Sequence, residues 1–163
     1  MGFFDGMKSA SEWCSKGITL NYQGEYKEAI TCFENSLAID ENNVHAWGGK
    51  GIALSLQNKS QEAIICFDRV IALEESNVDG WGLKGEALVA LNKYAEAIFC
   101  FNKVTNLNQN DYRYEGHCGG ACFALGLYNE AEKHFIHALS RKPNDSTLNE
   151  LYTRTKEELK QRK

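Results

Sequence analysis

The chain has 163 residues, of which 43% are hydrophobic and 25% charged, and its formal net charge is −4. This is the make-up of a globular chain with enough apolar material to bury a core. The acidic balance speaks against a nucleic-acid surface, and no apolar run approaches the roughly 20 residues that cross a bilayer, so neither nucleic acid nor membrane is an expected partner.

Residues 1–8 carry two glycines and no helical periodicity, and read as a flexible arm. They do not have the basic and apolar regions of a signal peptide. Phe3, Phe4 and Met7 make the arm unusually apolar. It reads either as a disordered end or as a segment that occupies a groove of its own chain or of a second copy, which would give a homo-oligomer.

Ser9 and Glu12 form a capping-box pattern that predicts a first helix from there to about Tyr22. Gln23-Gly24 ends it, with Gly24 free to turn left-handed. A second helix is predicted from about Tyr26 to Ala38, with Ala29, Ile30, Phe33 and Leu37 at helical spacing. The same pair follows three more times. Asn43 caps a helix through Leu56, Gln57-Asn58 turns, and a helix runs through Ala72. The third pair begins near Asn77, turns at Asn92 and ends near Leu107. The fourth begins near Asn110 or Asp111, turns at Gly126 and ends near Arg141, where Pro143 blocks continuation. A last helix, about Ser146 to Lys160, has Leu148, Leu151, Tyr152, Thr155 and Leu159 on its inner stripe. Glu150, Arg154, Lys156, Glu157 and Glu158 face mostly outward.

The pairs recur every 34 residues. Trp13 returns as Trp47 and Trp81; Gly17 as Gly51, Gly85 and Gly119; Ala29 as Ala63, Ala97 and Ala131; Phe33 as Phe67, Phe101 and Phe135. Small residues at Gly17 and Ala29 let two antiparallel helices approach to the usual spacing of about 8–10 Å. One such pair cannot bury both of its faces and must stack on a neighbour.

This pattern resembles the tetratricopeptide repeat (TPR) family over residues 10–145. The first unit matches at Trp13, Gly17, Tyr26, Ala29 and Phe33, and the fourth at Gly119, Tyr128, Ala131, Phe135 and Pro143. The resemblance implies an all-α fold: a right-handed superhelix, or α–α solenoid, of four helix-turn-helix units (10–43, 44–77, 78–111 and 112–145), closed by a C-terminal helix over 146–163. Departures are Ser60 for the second tyrosine, Glu115 for the fourth tryptophan, and lysines at 16, 50 and 84 where the family often has leucine. In the fourth unit Glu132, His134 and Arg141 replace apolar columns, as suits a terminal repeat whose outer side is less covered.

The resemblance also implies a concave groove lined by the first helices. Its expected ligand-binding columns are Cys14, Gly48, Gly82, Gly116; Ile18, Ile52, Glu86; and Tyr22, Leu56, with His45, Asp79 and Arg113 at the mouth. Cys14 would then carry an accessible thiol. The three glycines are either duplicated with the repeat or open the groove to close approach of a ligand. Such a groove suits a protein or peptide segment with apolar anchors. Some family members clamp the acidic C-termini of heat-shock chaperones. The matching places here (Cys14, Ile18, Gly49, Asp79, Leu83) carry no basic donor, so that partner is not expected.

No catalytic constellation is found, and the expected function is a non-enzymatic interaction scaffold, the alternative being a structural protein that self-associates. His134 and His137 with Glu130 read as a solvated helix face. Cys118 and Cys122, beside His117, read as core thiols acting as small hydrophobes. No metal or cofactor is therefore expected. The cysteines at 32, 66 and 100 stand one repeat apart, beyond disulfide reach, so reduced thiols and a cytoplasmic location are expected.

Overall fold

The computed structural model describes residues 8–108 and 113–162. Among the described residues there are helices and no strands: α1 (Ala10–Gln23), α2 (Tyr26–Ile39), α3 (Val44–Leu56), α4 (Ser60–Leu73), α5 (Val78–Ala90), α6 (Tyr94–Leu107), α7 (Glu115–Ala124), α8 (Tyr128–Arg141) and α9 (Ser146–Gln161). None is long and apolar enough to cross a membrane. The chain divides into two compact units, Met1–Gly80 and Trp81–Lys163, with the boundary inside α5. The expected N-terminal arm lies outside the described residues except for Lys8, whose Nζ sits 4.8 Å from the centre of the Trp13 ring.

The helix ends follow the polar residues that flank them. Ser9 closes the full capping box with Glu12 on α1. Asn43 accepts from the Ala46 amide at 3.0 Å, Asn77 from Gly80 at 2.8 Å, and Asp145 from Leu148 at 3.0 Å. The turn inside each pair needs one left-handed residue, and the chain places Gly24 (φ 81°), Asn58 (φ 60°), Asn92 (φ 57°) and Gly126 (φ 72°) there. These are the residue types that bear that conformation at least cost. α7 differs from the repeat: it begins at Glu115, with Tyr114 as its cap residue. The caps expected at Asn110 and Asp111 lie outside the described residues.

In the first unit α1 packs on α2 and on α3, α2 on α3, and α3 on α4. In the second, α6 packs on α7, α7 on α8, and α9 on both α8 and α7. One steric motif recurs through both. A Cβ added at Gly17, Gly51, Gly85 or Gly119 would lie 2.7, 2.6, 2.5 or 2.7 Å from Cε1 of Phe33, Phe67, Phe101 or Phe135. Each of those rings is fully buried. The glycine is therefore the socket for the phenylalanine of the partner helix, and the periodic pair specifies how closely the two helices approach.

The three lysines that replace the family's leucines lie over the three tryptophans. Nζ of Lys16, Lys50 and Lys84 stands 5.7, 6.0 and 5.8 Å from the ring centres of Trp13, Trp47 and Trp81. The stem covers apolar surface and the ammonium meets the π face. On α9 the inner stripe holds: Thr155 is fully buried, Leu148, Leu151, Tyr152 and Leu159 are half-buried, and Glu150, Arg154, Lys156 and Glu157 are exposed.

Candidate functional site

In the first unit four large apolar side chains stand exposed on the first helices of consecutive pairs. Ile18 and Tyr22 are one turn apart on α1 and are 39% and 90% exposed; Ile52 and Leu56 hold the equivalent places on α3 and are 36% and 53% exposed. Burying a fully exposed side chain of this kind is worth roughly 1.5–3 kcal/mol, and a partner gains the share of it that corresponds to the area still exposed. His45 is exposed near the start of α3, and Asp79 near the start of α5. Beneath this face Asn21 donates through Nδ2 to the Gly49 carbonyl at 3.0 Å, tying α1 to the α3 backbone.

The first expected column is divided: Cys14 and Gly82 are buried, whereas Gly48 and Gly116 are half-buried. Cys14 is only 5% exposed and belongs to a core cluster with Ala29, Phe33 and Ala46. Burial pushes its thiol pKa up, so the accessible thiol expected at Cys14 is corrected to a protonated core thiol. Burial does the same at Cys66, pushed up to about 11. Gly82 is buried beneath the Tyr114 ring, and a Cβ at Gly116 would lie 2.6 Å from Leu148 Cδ2. The glycines at 82 and 116 thus admit side chains of this chain's own later segments, which corrects the reading of an opening for a ligand at Gly82, while Gly116 also lines a cleft of the second unit. Gly48 alone keeps room, its nearest neighbour being Val70 Cγ2 at 4.0 Å. At Cys14 the physical reason for burial is that Ala46 of the next first helix packs in the same cluster.

The second unit carries a separate cleft of ≈ 500 Å³ between α5, α7 and α9. Val89, Ala121, Ala124 and Leu151 give it an apolar wall, and Gly120 leaves its floor open. Glu86, an expected ligand-binding residue, lies on its rim, where Oε1 meets His117 Nδ1 at 3.1 Å. Arg113 is exposed and lies 5.3 Å from the Tyr114 ring centre.

A polar cluster that sequence spacing did not assemble lies between α7 and α8. Glu115 is only 5% exposed, and its two oxygens meet Nδ1 of His134 at 2.7 Å and Nδ1 of His137 at 3.0 Å. The solvated-face reading is thereby corrected for His134: it crosses to the buried carboxylate of the neighbouring helix. The hydrogen bond from His134, with that from His137, holds the Glu115 carboxyl below its ordinary range against the cost of burial. His134 Nε2 lies 3.4 Å from Cys118 Sγ. Cys118, Cys122 and His134 offer donor atoms that all lie within 4.8 Å of one another.

The family model for the tetratricopeptide repeat matches residues 10–43. The model described as anaphase-promoting complex, cyclosome, subunit 3 matches residues 56–138, just over half of the chain. The chain belongs to the tetratricopeptide repeat family. Solved structures share this TPR fold. The MamA protein overlays with a TM-score of 0.85 at 17% identity, covering 91% of this chain and 81% of that one. The first TPR of Spaghetti (RPAP3), solved with the HSP90 peptide SRMEEVD, gives a TM-score of 0.71 at 25% identity, over 77% of this chain and 99% of that one. A chain of the APC/C hetero-tetramer Cut9–Hcn1 gives 0.82 at 19% identity, over 90% of this chain and 30% of that one. No curated protein sequence matches the chain.

The fold class is accordingly all-α, that of the TPR α–α solenoids. TPR proteins generally mediate protein–protein interactions and are generally non-enzymatic. In TPR terms the polar cluster of α7 and α8 is a departure of the fourth unit alone, because the first three units fill the corresponding places with Trp, Lys, Leu and Cys.

Proposed function

We propose that this TPR protein is a non-enzymatic interaction module that binds a protein segment through apolar anchors on the α1/α3 face of its first unit. The observation that supports this reading most is the exposed quartet of Ile18, Tyr22, Ile52 and Leu56. They repeat with the solenoid period and so present apolar contacts in a regular row, the arrangement that an amphipathic helix or an extended segment can follow. His45, exposed near the start of α3, would read the flanking polar groups of such a segment. The six free, buried cysteines favour a reducing compartment, the cytoplasm being the simplest.

The RPAP3 relative was solved with an acidic HSP90 peptide. Here the places that would meet such a tail include Ile18, which is apolar, and Gly49, which lies against the Phe33 ring. Neither offers a donor to a carboxylate, so an acidic chaperone tail is not the expected ligand.

Panning a displayed peptide library on the full chain tests both statements. Peptides with two or more apolar anchors should be enriched and bind at micromolar level, whereas SRMEEVD should give no saturable change in fluorescence polarisation. Enrichment of acidic C-terminal peptides instead would overturn the reading.

A further inference from the structure

We propose that Cys118, Cys122 and His134 form a zinc-binding site in the fourth unit, with Glu115 as the group that orients His134. Cys118 and Cys122 are one turn apart on the same face of α7, and His134 reaches them from α8. Their donor atoms lie within 4.8 Å of one another. The 3.4 Å between Cys118 Sγ and His134 Nε2 is close to the ~3.6 Å that tetrahedral Zn–S and Zn–N bonds of about 2.3 and 2.1 Å require. The thiols are both 2% exposed, while the His134 side chain is 24% exposed, so the histidine is the member of the set that meets solvent.

The histidine is prepared for this role. Its Nδ1–H donates to the buried Glu115 carboxylate at 2.7 Å, which aims Nε2 at the thiols as the nitrogen that would bind the ion. A carboxylate behind a ligating histidine fixes the ring and the tautomer in many zinc sites. The donor set of two thiolates and one imidazole selects zinc over magnesium or calcium, which prefer oxygen. Three protein ligands leave a fourth position for water or a further donor.

The internal repeat supplies an independent line. In the first three units the place of Glu115 holds Trp13, Trp47 and Trp81, and the place of Cys118 holds Lys16, Lys50 and Lys84. The place of Cys122 holds Leu20, Leu54 and Leu88, and that of His134 holds Cys32, Cys66 and Cys100. Four columns change in the fourth unit only, and the structure brings the four changed residues together. Loss of packing at a terminal repeat explains polar residues that face water. It does not explain a carboxylate, two thiols and an imidazole that converge in a buried place.

Binding balances simply. The three donor atoms hold two protons between them, and Zn2+ displaces both. The product has one metal–nitrogen and two metal–sulfur bonds and no net charge on the first coordination sphere.

The test is titration of the reduced, chelator-treated full chain with Co2+ and then Zn2+. One equivalent of Co2+ should give a thiolate-to-cobalt charge-transfer band in the near ultraviolet and d–d bands in the red, both abolished by Zn2+, with two protons released in weak buffer as the metal-free chain takes up either metal and none as zinc displaces cobalt. Cys122→Ser should weaken zinc affinity by at least ~100-fold, and Glu115→Gln by ~10–100-fold while keeping the cobalt spectrum. His134→Cys restores the residue of the other three units and keeps a three-thiolate set. It should bind with a stronger charge-transfer band even if the serine variant folds poorly. Absence of the cobalt band in the native chain, or undiminished affinity in a folded Cys122→Ser chain, would overturn the site.

Discussion

Gly51→Ala destabilises the native chain by up to about 2 kcal/mol, and the same substitution in a Phe67→Ala background stabilises it. In the native chain the new methyl would lie 2.6 Å from Phe67 Cε1. Overpacking of this kind costs about 1–3 kcal/mol, more than the ~1 kcal/mol that alanine gains over glycine inside a helix. Phe67→Ala alone removes a fully buried ring and costs about 3–5 kcal/mol. Once the ring is gone the clash is gone, the helix-propensity gain remains, and the methyl fills part of the cavity. Urea midpoints for the four proteins, followed by circular dichroism, complete the cycle. If the two costs add within about 0.5 kcal/mol, the socket description of the repeat is wrong.

The second large effect concerns binding. Ile52→Asp with Leu56→Asp should weaken a library-selected peptide by ~100-fold or more, a loss of about 3 kcal/mol. Ile52 is 36% and Leu56 53% exposed on α3, so the fold loses part of their burial as well as helix propensity, and circular dichroism of the double variant checks that it remains helical. Ile65→Asp is the matched control. Ile65 is equally exposed but stands on α4, a second helix, and its replacement should leave the peptide affinity unchanged. Calorimetric titration of the three proteins with one peptide decides the matter. Equal affinities for the native chain and the double variant would move the binding face elsewhere.

The fold was legible because its information is local and periodic. Caps at Ser9, Asn43 and Asn77, left-handed turns at Gly24 and Asn92, and the Gly17–Phe33 pair each leave a mark within one 34-residue period. The depth of a column is different. Whether Cys14 lines a groove or lies between helices depends on what the next first helix sets over it, and periodicity within one helix does not carry that. The cluster around Glu115 was obscured for a related reason. Spacing along α8 joins His134 to His137 and Glu130, whereas the structure joins it to residues of α7 through the antiparallel packing of the pair. The signal was nevertheless present as four simultaneous departures from the repeat, readable only when the four columns are compared together.

Leu148 stands 34 residues after Tyr114, and each covers a glycine of the preceding first helix. α9 therefore keeps step with the repeat and acts as the opening helix of a fifth register. One column of glycines consequently meets one added methyl group with opposite tolerance. Gly82→Ala collides with the Tyr114 ring, and Gly116→Ala makes the Leu148 side chain turn away from α7. Gly48→Ala meets nothing nearer than Val70 at 4.0 Å and should raise stability by up to about 1 kcal/mol. Glycines that look interchangeable by descent have thus taken up separate duties, two as seats for bulky side chains and one as an unused legacy of duplication.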